Sequence, residues 1–253
     1  MKVTFLGTGT SQGIPVIGCD CNVCLSDDLK QKRLRVSALI QIDNKNILID
    51  AGPDFRQQML TIGINHLDAI LITHEHNDHI AGIDDVRPFN FRSEKDMHLY
   101  AMKRVADAIK TRFPYIFRAE PYPGAPRIKL EIIQTDNFHI GEIEITPIPI
   151  MHGNLPILGF RIGKFAYLTD VKYIDELQIQ QLQGLDYLAI SSLQLEKHHS
   201  HCTLDETLAF INRILPKKTK IIHMSHTMGD TSLLEAHLPK SVDFAYDGLQ
   251  ISL

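Results

Sequence analysis

The 253-residue chain lacks any uninterrupted apolar run approaching the length of a membrane span, which argues against a bilayer-crossing helix. Its opening residues, Met1-Lys2-Val3-Thr4-Phe5-Leu6, show no basic stretch followed by an apolar core, so no secretory signal is expected there. Basic residues are not in excess. The 26 Lys and Arg stand against 30 Asp and Glu, a net charge of −4, which disfavours a broad nucleic-acid footprint. A locally positive pocket for a small phosphorylated substrate remains compatible with that balance. Cysteine is scarce, at four residues, and Cys19, Cys21 and Cys24 crowd together in a way that suits a metal site better than a disulfide framework. No internal repeat, low-complexity tract or dividing linker interrupts the sequence, and the length fits one α/β domain over residues 1–253. A cytoplasmic protein without membrane contact is expected.

What is present is concentrated. The stretch Thr73-His74-Glu75-His76-Asn77-Asp78-His79 follows the apolar run Asp68-Ala69-Ile70-Leu71-Ile72, a short buried strand, and precedes residues 80–86, which read as the opening of a helix. Residues two apart in extended backbone project to one side, so His74 and His76 can clasp a single ion. The chain then turns, and Asp78 with His79 can face a second ion. Neutral imidazole suits zinc, iron, nickel or copper, and carboxylate also admits manganese. A solvated polar loop is the bland alternative, and three imidazoles packed at a strand-to-helix turn weigh against it.

Around this stretch, a strand at 2–6 runs into the glycine-rich loop 7–13, which lets backbone approach a ligand or metal closely. The loop lacks the lysine and following helix of a phosphate-binding loop. Strands are predicted at 36–42 and 46–49, joined by the turn Asp43-Asn44-Lys45, and Pro53 reads as a first helical residue for 54–62. The segment Arg87-Pro88-Phe89-Asn90-Phe91-Arg92 reads as a lid whose arginines, Arg87 or Arg92, are candidates to hold a remote phosphate. Residues 113–127 carry four prolines and a glycine and read as loop. Further strands are predicted at 97–100, 128–134, 143–150, 158–162, 165–168, 187–191, 220–223, around Phe244 and at 249–252. Helices are predicted at 102–112, 174–181, 203–215 and 232–238. That order fits a two-sheet sandwich with outer helices better than an alternating barrel.

Three strand ends add residues that ligate metals. His152 follows Ile148-Pro149-Ile150-Met151, Asp170 follows Ala166-Tyr167-Leu168-Thr169, and His223 follows Lys220-Ile221-Ile222. Each alone is as readily a cap or a satisfied buried group. Joined to the dense turn, they complete a set of seven at positions where loops gather.

The ordered set Asp50, His74-x-His76-x-Asp78-His79, His152, Asp170 and His223 resembles the metallo-β-lactamase superfamily over nearly the whole chain. The resemblance implies an α/β (α+β) fold, an αββα sandwich of two mixed β-sheets flanked by helices. In its dinuclear hydrolase branch, His74, His76, His152 and Asp170 would hold one divalent ion. Asp78, His79, Asp170 and His223 would hold the other, with Asp170 bridging and Asp50 orienting the ligands by hydrogen bonds. The active ions would be manganese or zinc, with iron or nickel also admitted. An aspartate at 170 fits the hydrolases and disfavours true β-lactamases.

The Cys19-x-Cys21-x2-Cys24 spacing sharpens the resemblance, because a closed structural zinc site takes four ligands. His226, three residues beyond His223, is the expected fourth, and Cys202 is expected to be unpaired. The combination is similar to the phosphoribosyl 1,2-cyclic phosphate phosphodiesterase subfamily, which residues 82–87 also resemble. In the phosphodiesterase branches, a histidine just ahead of the helix start at Thr203-Leu204-Asp205 contacts phosphate or protonates the leaving oxygen. Position favours His201, with His199 as its rival and a mere surface histidine run as the alternative. Asp78 and His201 are thus the expected catalytic residues. His66, His98, His139 and His237 read as surface or packing residues. The implied reaction is hydrolysis of a small cyclic phosphodiester by a hydroxide shared between two ions, in a protein expected to be a homodimer. Thioester, lactone or transfer-RNA precursor hydrolysis on the same scaffold are rivals, as is a non-hydrolytic cofactor-biosynthesis role.

Overall fold

Several strands bury apolar side chains on both faces, and this sets the layering. In the segment Ser37–Ile42, Ala38 and Ile40 point to one side and Leu39 to the other, and all three are buried. A strand covered on both faces must lie between two layers. The computed structural model describes residues 1–253 and shows how those layers are arranged.

Fourteen strands form two sheets of seven. They are β1 (Lys2–Gly7), β2 (Ser37–Ile42), β3 (Lys45–Ile49), β4 (Ala69–Leu71), β5 (Met97–Ala101), β6 (Ile128–Ile132), β7 (Phe138–Ile140), β8 (Ile143–His152), β9 (Leu155–Ile162), β10 (Phe165–Leu168), β11 (Tyr187–Ser191), β12 (Lys218–Ile222), β13 (Val242–Phe244) and β14 (Gln250–Ser252). The helices are α1 (Asn22–Leu25), α2 (Phe55–Ile62), α3 (Asn77–Ile80), α4 (Arg87–Ser93), α5 (Lys103–Arg112), α6 (Glu176–Gln181), α7 (Leu204–Ile214) and α8 (Thr231–Leu234). The first sheet runs β14-β1-β2-β3-β4-β5-β6 and the second β13-β12-β11-β10-β9-β8-β7. In both, an antiparallel half passes into a parallel half, at β3 and at β10.

Between the sheets lies a core that includes Phe5, Ile40, Ile49, Leu71, Ile145, Phe160, Phe165 and Tyr167. A second apolar layer joins the outer face of one sheet to α6 and α7, and a third joins the other sheet to α2 and α5. This is the helix–sheet–sheet–helix order expected from the sequence. Its consequence for the site follows from strand direction. β3 and β4 are parallel; β8 and β10 are both antiparallel to β9, and β10, β11 and β12 run parallel. The C-terminal ends of β3, β4, β8, β10 and β12 therefore gather at one end of the sandwich.

Local chemistry explains where the elements depart from expectation. Pro53 lies outside α2, because Asp54 is the residue before the helix and its carboxylate is engaged by Arg35, through the backbone N–H at 2.7 Å and the guanidinium at 3.1 Å. The segment 87–92 is helical, as α4, with Pro88 in its first turn and Phe89 set edge-on against Phe55. β9 starts earlier than predicted, because it pairs with β8 as far as His152 opposite Leu155. The predicted helix at 232–238 is one α-turn followed by a 3-10 turn at Glu235–His237. β7 was not legible from its short sequence.

Candidate metal centre

The hinge of the site is a close crossing of backbones. After β3 the chain passes beneath α3, where Ala51 N donates to His79 O at 2.8 Å and Gly82 N donates to Ala51 O at 2.9 Å. A Cβ at Gly52 would sit 1.9 Å from Asp78 O, and one at Gly82 would sit 2.1 Å from Gly52 O. Only glycine lets the two segments meet, and their meeting brings Asp50 under the histidine-rich turn. Three strand-end residues, Asp50, Asp170 and His223, have φ of 61°, 55° and 60°, in a left-handed region that non-glycine residues enter at a cost. The surrounding sheets hold them there and aim their side chains inward.

Asp50, fully buried, organises the floor. Its carboxylate accepts hydrogen bonds from Thr73 N at 2.9 Å, from Thr73 Oγ1 at 2.9 Å and from His79 Nδ1 at 2.7 Å. Burial pushes the Asp50 carboxyl above its usual range, opposed by the nearby His79 and by the Thr73 bonds. With Nδ1 taken, His79 presents Nε2 to the cavity, 3.2 Å from Asp78 Oδ2 and 3.3 Å from Asp170 Oδ2. His223 Nε2 lies 3.3 Å from Asp170 Oδ1 and 3.7 Å from Asp78 Oδ2. His152 is oriented likewise: its Nδ1 donates to Ser200 O at 2.9 Å, leaving Nε2 for the cavity. His74 Nε2 approaches His76 Nδ1 at 3.0 Å.

Donor atoms of His74, His76 and His152 converge within 4.8 Å of one another, and so do those of Asp78, His79 and His223. Asp170 stands between, grouped with His74 and His79 on one side and with His152 and His201 on the other. His79 Nε2 and His223 Nε2 are buried and have no hydrogen-bond partner, although carboxylate oxygens face them. Converging lone pairs with nothing shared between them are what a divalent cation neutralises, so the residues fit a metal pair. Burial holds His74 well below the usual imidazole range, which keeps it in the neutral, ligating form.

Of the two histidines expected to compete for the leaving group, His201 is buried with its Nδ1 3.8 Å from Asp170 Oδ1. His199 is exposed, and its ring rests against His198. A cleft of about 290 Å³ opens beside His201, lined also by Thr10, Gln12, Gln194, His198 and Thr227. A larger groove of about 610 Å³, lined by Asp43, Glu142 and Arg161, sits by the hairpin turns at the opposite end of the sandwich and touches none of the ligand-type groups. Arg87 is engaged by Asp84, and Arg92 is exposed beside Phe55 and Met59. Sequence reasoning gave no role to Thr73, Ser200 or Lys172; their contacts run across the fold and leave no local pattern.

The cysteines form a second cluster. Cys19, Cys21, Cys24 and His226 bring their ligand atoms within 4.8 Å of one another, with His226 Nδ1 3.3 Å from Cys19 Sγ and 3.4 Å from Cys21 Sγ. The His226 contact lowers the Cys21 thiol to about 6, while burial raises Cys24 to about 11. A thiolate-rich quartet of this composition suits zinc. Met224, between His223 and His226, is bonded on both sides to the glycine-rich loop, through Met224 N to Thr8 O and Thr10 N to Met224 O. One short segment therefore links both clusters.

The model of the family described as Beta-lactamase superfamily domain matches residues 45–224. The chain belongs to the beta-lactamase superfamily. Within it, the chain is similar to a solved diphosphatase of the PhnP family, at 38% identity and TM-score 0.93 over 99% of this chain and 96% of that one. It is 43% identical to an octanoyltransferase of Porphyromonas gingivalis over 99% of its own length and 51% of that protein, so it spans about half of that relative. Zinc-bound PqqB of Methylobacterium extorquens shares the superfamily fold, with TM-score 0.80 at 19% identity over 100% of both chains. Superfamily membership implies divalent-metal binding on the two-sheet sandwich. No helix is long and apolar enough to cross a membrane.

Proposed function

We propose that this superfamily member is a single-domain phosphodiesterase acting on a small phosphodiester, with a phosphoribosyl-type cyclic phosphate as the best candidate. The observation that carries the reading is the pair of triads, His74–His76–His152 and Asp78–His79–His223, with Asp170 between them and His201 at their rim. Each triad with Asp170 would hold one divalent ion, and Cys19, Cys21, Cys24 and His226 would hold a structural zinc. When bound, the active-site pair supplies Lewis acidity at phosphorus oxygens and a nucleophile available at neutral pH.

The chain's own residues do the rest. Asp50 fixes His79, and Ser200 fixes His152, each through the ring nitrogen that faces away from the cavity. His201 donates a proton from its ring to the departing sugar oxygen, an effect of about a hundredfold or more. Burial lowers His201 to about 3, against the pull of Asp170, and a phosphate oxygen beside the ring would act in the same direction as Asp170. The similarity to a PhnP-family diphosphatase supports a phosphorus electrophile.

A second reading, hydrolysis of an acyl thioester, draws on the relative called an octanoyltransferase, although half of that protein lies outside the match. Turnover of bis-p-nitrophenyl phosphate and of cyclic phosphodiesters, compared with octanoyl and shorter thioesters in manganese and in zinc, separates the two. Phosphodiester turnover that is lost in His76→Ala supports the first reading. Thioester turnover alone overturns it.

A further inference from the structure

We propose that Lys172 is a positioning residue that sets His201 against the leaving group, by tying together the three segments that carry His152, Asp170 and His201. The proposal rests on the reading that His201 protonates the leaving oxygen. Lys172 lies two residues past Asp170, and its side chain is three-quarters covered. Its Nζ donates to His201 O at 3.2 Å and to Glu206 Oε1 and Oε2 at 3.1 and 3.0 Å, which uses all three ammonium hydrogens. Its backbone N–H donates to Met151 O at 2.7 Å, next to His152. The adjacent Val171 O accepts from Cys202 N at 2.8 Å, and His152 Nδ1 closes the ring by donating to Ser200 O at 2.9 Å.

Glu206 anchors the other end. It is the third residue of α7, and its carboxylate caps the helix by accepting from Thr203 N at 2.9 Å while Thr203 Oγ1 accepts from Glu206 N at 3.2 Å. The carboxylate that stops α7 from fraying is thus the one that holds the Lys172 ammonium. The His201 loop is pinned between the helix start and the Asp170 turn. An ion pair of this exposure adds little stability. Its value is geometric: a displacement of about 1 Å in a reacting group can lower the rate by about a hundredfold.

A leaving-group series isolates that role. Aryl phosphodiesters running from p-nitrophenyl to phenyl leaving groups need a proton increasingly as the departing oxygen becomes more basic. Lys172→Ala is expected to lower kcat for the phenyl substrate about 10- to 100-fold, with KM little changed and p-nitrophenyl turnover within about threefold of wild type. Glu206→Gln keeps the helix cap but weakens the ammonium anchor, and should show the same selectivity to a smaller degree. In a His201→Ala background, Lys172→Ala should add no further selectivity. Circular dichroism and metal content of each variant exclude a general loss of structure. Equal loss on every substrate, or none, in both Lys172→Ala and Glu206→Gln overturns the proposal while a selective His201→Ala leaves the functional reading intact. A wild type inactive on the series, or a His201→Ala variant without selectivity, overturns the functional reading itself.

Discussion

Replacing Asp50 with asparagine tests how the buried floor controls one ion and not the other. Asparagine is almost isosteric and tolerates the left-handed backbone found at this position, φ 61°, so the fold should survive. Its amide oxygen can keep the bond from Thr73 N, now 2.9 Å long. Its NH2, however, must replace the oxygen that accepts from His79 Nδ1 at 2.7 Å. Two donors then face each other in a fully buried position, at about 1–3 kcal/mol. The imidazole escapes by carrying its proton on Nε2, and that removes the lone pair aimed at Asp78 and Asp170. Either way the ion at Asp78–His79–His223 should weaken about 10- to 100-fold, the range for losing a partner that orients a metal-binding histidine. His76 and His152 make no bond to Asp50, and His74 reaches it only through Thr73 Oγ1, 3.0 Å from His74 Nδ1, so their ion should weaken much less than the other. Calorimetric titration of metal-free protein with Zn2+ or Mn2+, beside a competing chelator, reads both affinities. Equal weakening at both sites, or no weakening at either, would refute the reasoning.

Two further predictions concern parts of the chain away from that floor. Cys21→Ser should release one zinc per chain and also weaken the ion at His223, because residues 223–226 join both clusters; a full metal complement by mass spectrometry would count against the link. Asp247, whose carboxyl burial raises to about 6 against the bonds from Leu34 N and Thr8 Oγ1, binds its proton more tightly in the folded than in the unfolded chain. Its contribution to stability is therefore full below its ordinary value and is lost as pH rises through about 6, by at most about 3 kcal/mol. Denaturant unfolding between pH 4 and 7 should show wild type losing stability relative to Asp247→Asn, which has no proton to lose at this position, and parallel curves would contradict the assignment.

The convergence of His152, Asp170 and His223 on the histidine-rich turn was legible because each follows an apolar run, and a strand end is where a polar residue can leave the core without losing backbone pairing. The dense turn at His74–His79 needed no tertiary information. The sandwich followed from the order of strands and helices along the chain, but the order of strands within each sheet did not, since pairing partners such as β1 and β14 lie at opposite ends of the chain. The left-handed backbone at Asp50, Asp170 and His223 was also hidden: Asp and His enter that region more readily than most residues, but only the surrounding sheets enforce it here. Pro53 misled for a similar reason: its preference for a first helical turn is real, but Arg35 claims Asp54 and the helix begins later. Lys172 was invisible in sequence, as its role depends on His201 and Glu206 arriving from 29 and 34 residues away.

If each triad holds a divalent ion, the two ions would share one cavity, with Asp170 available to both. Anomalous diffraction from crystals grown with manganese, recorded on both sides of its absorption edge, addresses this arrangement most directly. Two peaks are expected, one among His74, His76 and His152 and one among Asp78, His79 and His223, each within bonding distance of an Asp170 oxygen. A single peak, or two peaks with Asp170 turned away from both, would contradict the account.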